Sequence, residues 1–451
     1  MLGLIALLCT AALAQSGGSR PSGLVRAKGA AFVDDRGPWL PLGATLFWAP
    51  WGYKFDRVRL ERELSVLSRG GVDYIRVLGQ VGDTDSDDSW ADRPIDPRWS
   101  DACHPRPQRG CGSYEEVIAG LTDLVFDKYG MRVEWTVFGA TSFTPTPASR
   151  RTLIDRLLKM SQGREHKIMH FEVANEFFQN GFGGEDGLEE LRDLARYMQE
   201  RTPLLVGLSA PSRSDDCSTL ARLYDDDVGE VVTVHFARAT DGPGGMWNPV
   251  QAPWRLQTCK GLPPLRSSNE PIGPFSSVQA DGDPLRIAMA AAVTYISGVG
   301  SYVLHTGAGV RGGGRADRER GRPANVSDVP RIETIFRGLG TVRERLPAEV
   351  SNWARFEATE ANEFVTIEPP GVEAAYGAHR EGRFVVAPIG AKGKLTLRAR
   401  RLVEVEVVDP LSGDRLWSGL LPAGRTASVG GLPAYLVVGK IAESAERPDR
   451  P

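Results

Sequence analysis

The chain has 451 residues, of which 41% are hydrophobic and 25% are charged, and its formal net charge at pH 7 is -3. This composition is that of a globular protein with room for one large domain and a smaller one. A nucleic-acid-binding domain would carry a surplus of basic residues, so the charge balance excludes that class.

The first 14 residues have the pattern of a secretory signal peptide. Residues 2–13 are almost wholly apolar, and Ala12-Leu13-Ala14 forms a cleavage site of small residues. No Lys or Arg precedes the apolar run, so a buried N-terminal helix is the alternative. Residues 15–23 are predicted to be a linker. No other segment approaches the roughly 20 apolar residues of a membrane span. We therefore expect an exported protein, secreted or periplasmic, without a membrane partner.

The remaining cysteines support export. Four follow the apolar segment, namely Cys103, Cys111, Cys217 and Cys259. An even number of cysteines in an exported chain predicts disulfides. The preferred pairs are Cys103 with Cys111 and Cys217 with Cys259, although four cysteines allow three pairings. Their spacing does not fit a zinc site, and we expect neither a metal nor an organic cofactor.

Strand and helix patterns alternate after a predicted hairpin over residues 23–41. The predicted strands cover residues 42–47, 72–78, 131–138, 168–176, 204–208, 231–236, 264–270 and 302–305. The predicted helices cover residues 57–68, 114–129, 150–160, 188–200, 218–224, 285–296 and 332–346, and a long loop follows the sixth strand. Eight such units predict an α/β fold, a (β/α)8 TIM barrel over residues 24–346.

An open, doubly wound parallel sheet is the alternative architecture. No Gly-x-Gly-x-x-Gly or Walker phosphate loop follows an early strand, which disfavours a nucleotide-binding version of that sheet. The Gly- and Arg-rich residues 311–315 lack the Gly-Lys-Ser/Thr ending of a phosphate loop, and we interpret them as part of a mobile loop.

The pattern changes after Pro347. Short β-type runs separated by turn residues occur at 363–367, 372–376, 383–388, 395–397, 403–408 and 434–438. Short strands at close spacing without helices predict a small antiparallel β-sandwich domain over residues 347–441. The polar residues 442–451 are predicted to be a disordered tail.

Two of the predicted barrel strands end in an Asn-Glu pair. Asn175-Glu176 ends the fourth strand, and Asn269-Glu270 ends the seventh. The carboxyl ends of all barrel strands meet at one face, where the active site lies. Paired carboxylates at that face suit glycosidic hydrolysis, in which one protonates the leaving oxygen while the other attacks the anomeric carbon.

The position of these residues resembles that of clan A retaining glycoside hydrolases, the (β/α)8 group that includes the family 5 cellulases and mannanases. The resemblance covers roughly residues 24–346. It implies that Glu176 is the acid/base and Glu270 the nucleophile. Arg76, near the end of strand two, and His235, on strand six, also match polar positions that the clan uses. The chain differs in three places. Phe236 follows His235 where the clan often has a Tyr, and His305 stands near the position of a Trp common in family 5. The end of strand three, Phe138-Gly139, lacks a common His.

We assign roles on this basis. Arg76 would keep the nucleophile Glu270 ionised, and Asn175 would form a hydrogen bond with a sugar 2-hydroxyl. His235 and His305 would be polar contacts at the same face of the barrel. Trp48, Trp51 and Trp247 are candidates for stacking on sugar rings. Each has an alternative: Arg76 could neutralise Asp73, the histidines could be satisfied structural groups, and the tryptophans could be packing residues. Glu172, in mid-strand, is expected to be a structural group that faces the interior or pairs with an Arg.

The sequence thus predicts an exported, monomeric, retaining glycoside hydrolase that acts on a polysaccharide or oligosaccharide. The alternative is a catalytically inactive carbohydrate-binding protein on a glycosidase-like barrel, an idea prompted by the Tyr and Trp that this chain lacks. A weaker third hypothesis places the main function in the β-domain, as an adhesion module.

Overall fold

The computed structural model describes residues 20–82, 93–100, 112–211, 216–240, 244–275, 281–308, 325–368 and 371–442. The predicted signal peptide, most of the linker, the pair Cys103 and Cys111, the loop at 311–315 and all but the first residue of the tail lie outside these ranges. In the part of the chain that is described, no helix is long and apolar enough to cross a membrane.

Eight parallel strands form the larger domain. They are β4 (Leu42–Thr45), β5 (Tyr74–Gln80), β6 (Arg132–Phe138), β7 (Ile168–Ala174), β8 (Val206–Gly207), β9 (Val232–Val234), β10 (Arg266–Ser268) and β11 (Ser301–Leu304). Strand β11 pairs back onto β4, and a bridge between Gly207 and Val231 joins β8 to the residue before β9. The predicted barrel is therefore confirmed, and the open sheet is wrong.

Nine described helices lie around or beside the strands. They are α1 (Ala49–Phe55), α2 (Arg57–Arg69), α3 (Tyr114–Asp123, continued by a π-helical segment Leu124–Lys128), α4 (Pro147–Ser161), α5 (Gly184–Gln199), α6 (Cys217–Tyr224), α7 (Asn248–Arg255), α8 (Pro284–Ile296) and α9 (Ile332–Arg345). The prediction was wrong at two helices. Helix α1 was not predicted, and the segment that contains α7 was predicted to be a loop. Both are short, and Pro249 and Pro253 interrupt the apolar pattern of α7.

An N-terminal three-stranded sheet closes the bottom of the barrel. Its strands are β1 (Arg26–Lys28), β2 (Ala31–Asp34) and β3 (Gly37–Pro38). Phe32 is fully buried in a cluster with Tyr74, Val231 and Leu265, which lie at the starts of barrel strands or just before them. The opposite end, where the strands finish, is left to the loops that carry the candidate site.

The C-terminal domain is a two-sheet antiparallel sandwich. Its strands are β12 (Ala354–Glu357), β13 (Val365–Ile367), β14 (Ala374–Arg380), β15 (Arg383–Ile389), β16 (Leu395–Ala399), β17 (Val403–Val408), β18 (Arg415–Leu421), β19 (Thr426–Val429) and β20 (Leu436–Ile441). The sheets run β12-β14-β15-β20-β17-β18 and β13-β16-β19. The predicted sandwich is confirmed, with β12, β18 and β19 added to the six predicted runs.

Strands β14 and β15 of the larger sheet are buried on both faces. On β15, Val385 and Ala387 belong to the same hydrophobic cluster as the barrel, whereas Phe384 and Val386 belong to the cluster between the two sheets. This period-2 alternation is what a strand covered on both sides requires. The ring of Tyr376 also stacks on Trp254 of α7, with ring centroids 4.5 Å apart. The sandwich is thus packed onto the barrel.

The disulfide between Cys217 and Cys259 is confirmed and encloses a sequence separation of 42 residues. Cross-linking a loop of this length restricts the unfolded chain and should stabilise the fold by about 4 kcal/mol. We expect a Cys217→Ser, Cys259→Ser variant to lose about that much free energy of unfolding in urea titrations under oxidising conditions. An unchanged unfolding midpoint would show that the bond does not constrain the unfolded chain.

Glu63 gives a pH dependence to stability. Its side chain is 1% exposed in α2 and accepts a hydrogen bond from the Val326 backbone N–H at 2.6 Å. Burial raises the pKa of Glu63 from 4.5 to about 7. A raised pKa means that its favourable contribution is complete below pH 4.5 and is lost as the pH rises through 7.

We expect this carboxyl to make the fold about 3 kcal/mol less stable at pH 8 than at pH 4.5. Replacing Glu63 by Gln should remove that part of the pH dependence in urea titrations at the two pH values. The exposed Glu381 serves as the matched control, since Glu381→Gln should leave the dependence as it is. If the free energy of unfolding changed equally with pH in the parent and in the Glu63→Gln variant, the raised pKa of Glu63 would be contradicted.

Candidate active site

Glu270 lies at the mouth of the barrel, two residues after β10. Its side chain is buried, with 5% of the residue exposed. Oε1 accepts a hydrogen bond from the Arg76 guanidinium at 2.9 Å. Oε2 lies 3.6 Å from His235 Nδ1, 3.6 Å from His305 Nε2 and 3.8 Å from Arg238. Burial opposes ionisation, but the groups around the carboxylate outweigh it and hold the pKa of Glu270 well below its usual range, and of these Arg76 and Arg238 carry a fixed positive charge. Glu270 is therefore ionised at neutral pH.

Glu176 approaches Glu270 from the end of β7. It is two residues beyond the strand, and its backbone φ is 37°, a left-handed conformation that is uncommon for a residue other than glycine. The turn is held by a hydrogen bond from the Phe177 N–H to Ser209 Oγ and by one from the Asn180 amide to the Asn175 carbonyl. Strain of this kind occurs at functional sites. The left-handed turn at Glu176 points its carboxyl into the mouth of the barrel.

His235 lies between the two carboxylates. Its Nδ1 is 3.2 Å from Glu176 Oε1 and 3.6 Å from Glu270 Oε2. One oxygen of each glutamate and one ring nitrogen of the histidine all lie within 4.8 Å of one another. The structure therefore brings together the two glutamates that the sequence analysis paired.

The same three groups could also hold a metal ion, because carboxylate and imidazole are suitable ligands. A cation there would occupy the lone pairs of both carboxylates, which a glycosidase uses for attack and proton transfer. The described residues of the mouth could therefore either hold a metal ion or use their carboxylates directly in catalysis.

Arg76 is the centre of a buried polar network below Glu270. It is fully buried, and its guanidinium donates to Glu172 Oε2 at 2.6 Å and to Asn175 Oδ1 at 2.9 Å. It also lies 3.3 Å from Glu134 Oε1. The alternative in which Arg76 neutralises Asp73 is wrong, because Asp73 pairs with Arg343 at 2.6 Å.

This network fixes the orientation of Asn175. Because Asn175 Oδ1 accepts from Arg76, its amide group turns its two N–H bonds away from the arginine. The amide is then available as a donor at the mouth. This is the orientation that a hydrogen bond to a sugar hydroxyl requires.

Glu172 has the structural role that was expected of it. One carboxylate oxygen accepts from Arg76 and from Thr136 Oγ1 at 2.6 Å, and the other accepts from the Asn269 amide at 3.0 Å. The same Asn269 amide reaches Glu134 Oε1 at 3.1 Å. Asn269 therefore anchors the backbone immediately before Glu270 to the interior of the barrel.

The two predicted histidines are not satisfied structural groups. Neither ring nitrogen of His305, nor Nε2 of His235, has a hydrogen-bond partner among the described residues. Burial lowers the pKa of His305 to about 3, against the opposing effect of Glu270. His305 is therefore a neutral imidazole beside an ionised carboxylate.

The three tryptophans are placed differently from one another. Trp48 is 1% exposed, and the guanidinium groups of Arg59 and Arg93 lie over its ring at 4.8 Å and 5.3 Å. Trp247 is 9% exposed. Trp51 is half-buried, with Arg93 over its ring at 4.3 Å. Trp48 and Trp247 are too buried to offer a ring face to a sugar, and the Phe55 ring also packs on Trp51 with centroids 5.4 Å apart. A stacking role therefore stays a prediction for Trp51 alone.

One residue of the mouth was missed. Arg238 follows β9 by four residues and contacts Glu270. It lies just beyond a strand end, which was the one signal available. It carries no motif that separates it from other loop residues.

Comparison with known proteins rests on structure alone. No protein-family model matches the sequence, and no curated protein is significantly similar to it. Among solved structures, a glycoside hydrolase family 5 protein from Bacteroides vulgatus ATCC 8482 matches with a TM-score of 0.66 at 10% identity, covering 93% of this chain and 94% of that one.

Two further structures give similar values. One described as a glycoside hydrolase has a TM-score of 0.64 at 11% identity, covering 93% and 97% of the two chains. A putative glycoside hydrolase from Bacteroides vulgatus ATCC 8482 has a TM-score of 0.63 at 13% identity, covering 94% and 83%. Likeness at this identity establishes fold, and it extends over the barrel and the sandwich together. The chain therefore has the two-domain fold of a glycoside hydrolase family 5 protein.

Proposed function

We propose that this protein is an exported retaining glycoside hydrolase that cleaves the O-glycosidic bonds of a polysaccharide or oligosaccharide. The observation that carries the proposal is the approach of Glu176 to Glu270 across His235, with carboxylate oxygens within 4.8 Å of one another. Retaining enzymes hold their two carboxyl groups about 5 Å apart, whereas inverting enzymes leave roughly 6.5–9.5 Å for a water molecule. The glycoside hydrolases that share this fold support the same reaction class.

The first half of the reaction forms a covalent intermediate. Glu270, ionised and held by Arg76, attacks the anomeric carbon through one oxygen. The bond from that carbon to the leaving oxygen breaks, and Glu176 donates its proton to the leaving group. The product of this step is a glycosyl ester on Glu270, with Glu176 now a carboxylate.

The second half reverses the roles. Glu176 accepts a proton from water, the water oxygen attacks the anomeric carbon, and the ester bond to Glu270 breaks. The carboxylate of Glu270 and the acid form of Glu176 are regenerated. Two displacements at one carbon return its original configuration. Asn175 donates to the 2-hydroxyl in both steps, and this contact strengthens as positive charge develops on the sugar.

The single disulfide among the described residues supports export, since such bonds persist in oxidising compartments. A screen against nitrophenyl glycosides and plant or microbial polysaccharides tests the function. Release of sugar by the parent but not by Glu270→Gln or Glu176→Gln supports it, with Glu381→Gln as an exposed-carboxylate control. Activity should be unchanged by EDTA, because no step uses a metal.

The alternative, an inactive carbohydrate-binding protein, predicts a different result. Such a protein would bind glycans on an array but release no reducing sugar from any of them. Phe236 is the observation in its favour, because it supplies no hydroxyl beside Glu270. In this chain, Glu270 Oε2 instead lies near two imidazole rings and one guanidinium, those of His235, His305 and Arg238.

A further inference from the structure

The two carboxylate oxygens of Glu270 have different surroundings. Oε1 accepts a hydrogen bond from the fully buried Arg76 at 2.9 Å. Oε2 lies 3.6 Å from His235 Nδ1, and the same nitrogen lies 3.2 Å from Glu176 Oε1. Oε2 is therefore the oxygen on the side of Glu176. Because the bond to be cleaved must lie between the nucleophile and the acid, Oε2 is the oxygen placed to attack the anomeric carbon.

Arg238 is the charged group beside this attacking oxygen. It lies in the loop after β9, four residues beyond the strand, and its Nη1 is 3.8 Å from Glu270 Oε2. The exposed fractions of the two side chains are 9% and 6%. Water therefore screens the attraction between their charges only weakly.

The charge of Arg76 alone does not balance the carboxylates that it holds. Arg76 forms ion pairs with both Glu172 and Glu270. Burial opposes ionisation of these two groups, but the pKa of each lies below its usual range. Arg238 supplies the second positive charge for this pair of anions. Its charge is thus matched by Glu270, and the contact is an ion pair within the active site.

The charge on Oε2 changes in each half of the reaction. It is lost when the glycosyl ester forms, and it returns when the ester breaks, because the electron pair of the broken bond stays on the oxygen. A cation beside Oε2 favours the carboxylate over the ester. In the first half it stabilises the starting state, whereas in the second half it stabilises the departing group.

We propose that Arg238 is a positioning residue for the second half of the reaction, in which it holds Glu270 Oε2 and stabilises the negative charge that returns to it. The proposal rests on the proposed function and adds a residue to it. In this step the water oxygen bonds to the anomeric carbon, Glu176 takes the water proton, and Glu270 departs as a carboxylate beside Arg238. Arg238 therefore accelerates hydrolysis of the ester and not its formation.

A dinitrophenyl glycoside separates the two halves. Its kcat/KM reports formation of the ester, and its kcat reports hydrolysis of the ester because dinitrophenolate leaves quickly. Arg238→Gln should lower kcat by about 10- to 100-fold, since it removes an opposite charge from a departing carboxylate. It should change kcat/KM by less than about 3-fold, so KM should fall together with kcat. Rapid mixing should show a burst of dinitrophenol followed by a slower steady rate than in the parent.

Two further variants show whether the charge is responsible. Arg238→Lys keeps a positive charge and should recover part of kcat, and Arg62→Gln, an exposed change on α2, should behave as the parent does. A preserved kcat/KM also shows that the Arg238→Gln variant is folded.

The inference would be overturned if Arg238→Gln left kcat unchanged, or if it lowered kcat and kcat/KM equally. Either result would leave the glycosidase mechanism of Glu176 and Glu270 intact. A parent protein that cleaves no glycoside would instead contradict the proposed function, and this inference with it.

Discussion

Replacing Glu270 by Gln is expected to lower kcat on an unactivated oligosaccharide by on the order of 10⁵-fold or more, as removal of a nucleophile does. Gln has nearly the same shape but cannot form the glycosyl ester. Glu176→Gln should cost about 10²–10⁴-fold on the same substrate, because it removes general acid catalysis alone. Initial rates on one confirmed substrate give both values.

The leaving group distinguishes the two roles. The dinitrophenolate group of a dinitrophenyl glycoside leaves without protonation. The glycosyl ester on Glu270 should therefore form at a nearly normal rate in Glu176→Gln, and a burst of dinitrophenol should appear. Glu270→Gln should show no burst with either substrate. Near-parent rates for both variants on an unactivated oligosaccharide would refute the roles assigned to these carboxylates, with Glu381→Gln reporting any effect of mutation in general.

Replacing Arg76 by Met is expected to destabilise the fold by about 3–5 kcal/mol and to abolish turnover. The change leaves Glu134, Glu172 and Glu270 buried around a position that no longer carries a positive charge. Breaking a buried ion pair from one side costs this much because a charge is left uncompensated. Arg76→Lys should recover only part of the stability, since an ammonium cannot reach all four of its partners at once.

Urea titrations measure the effect, with Arg57→Met as a control. Arg57 forms an exposed pair with Glu61 on α2, and its loss should cost less than about 1 kcal/mol. Adding Glu134→Gln and Glu172→Gln to Arg76→Met should restore part of the lost stability, because two uncompensated charges are removed. If the triple variant is less stable than Arg76→Met alone, lost packing and not lost charge explains the result.

The sequence predicted the barrel because its eight strands are short apolar runs that alternate with helical patterns. It predicted Glu176 and Glu270 because each follows a strand, and the parallel strands of a barrel bring their ends to one face. Helix α7 was missed because Pro249 and Pro253 disrupt the pattern on which the prediction depended. Packing against the rest of the domain decides such a short helix more than propensity does.

The polar network was only partly predictable. Glu172 could be recognised as inward-facing from its position in mid-strand, but its bonds to Thr136 and Asn269 depend on the register between neighbouring strands. Trp48 was assigned to the mouth by sequence position, whereas the structure covers its ring with arginine side chains. The contact of Arg238 with Glu270 depends on the path of a loop, which no periodic pattern reports.

Azide rescue tests the central claim most directly. With an activated glycoside, the Glu270→Ala variant plus azide should form a glycosyl azide of inverted configuration, because azide attacks once in place of the missing carboxylate. The Glu176→Ala variant plus azide should form the azide of retained configuration, because azide then attacks the ester on Glu270. NMR of the anomeric proton distinguishes the products. A retained product from Glu270→Ala, or an inverted one from Glu176→Ala, would contradict the account.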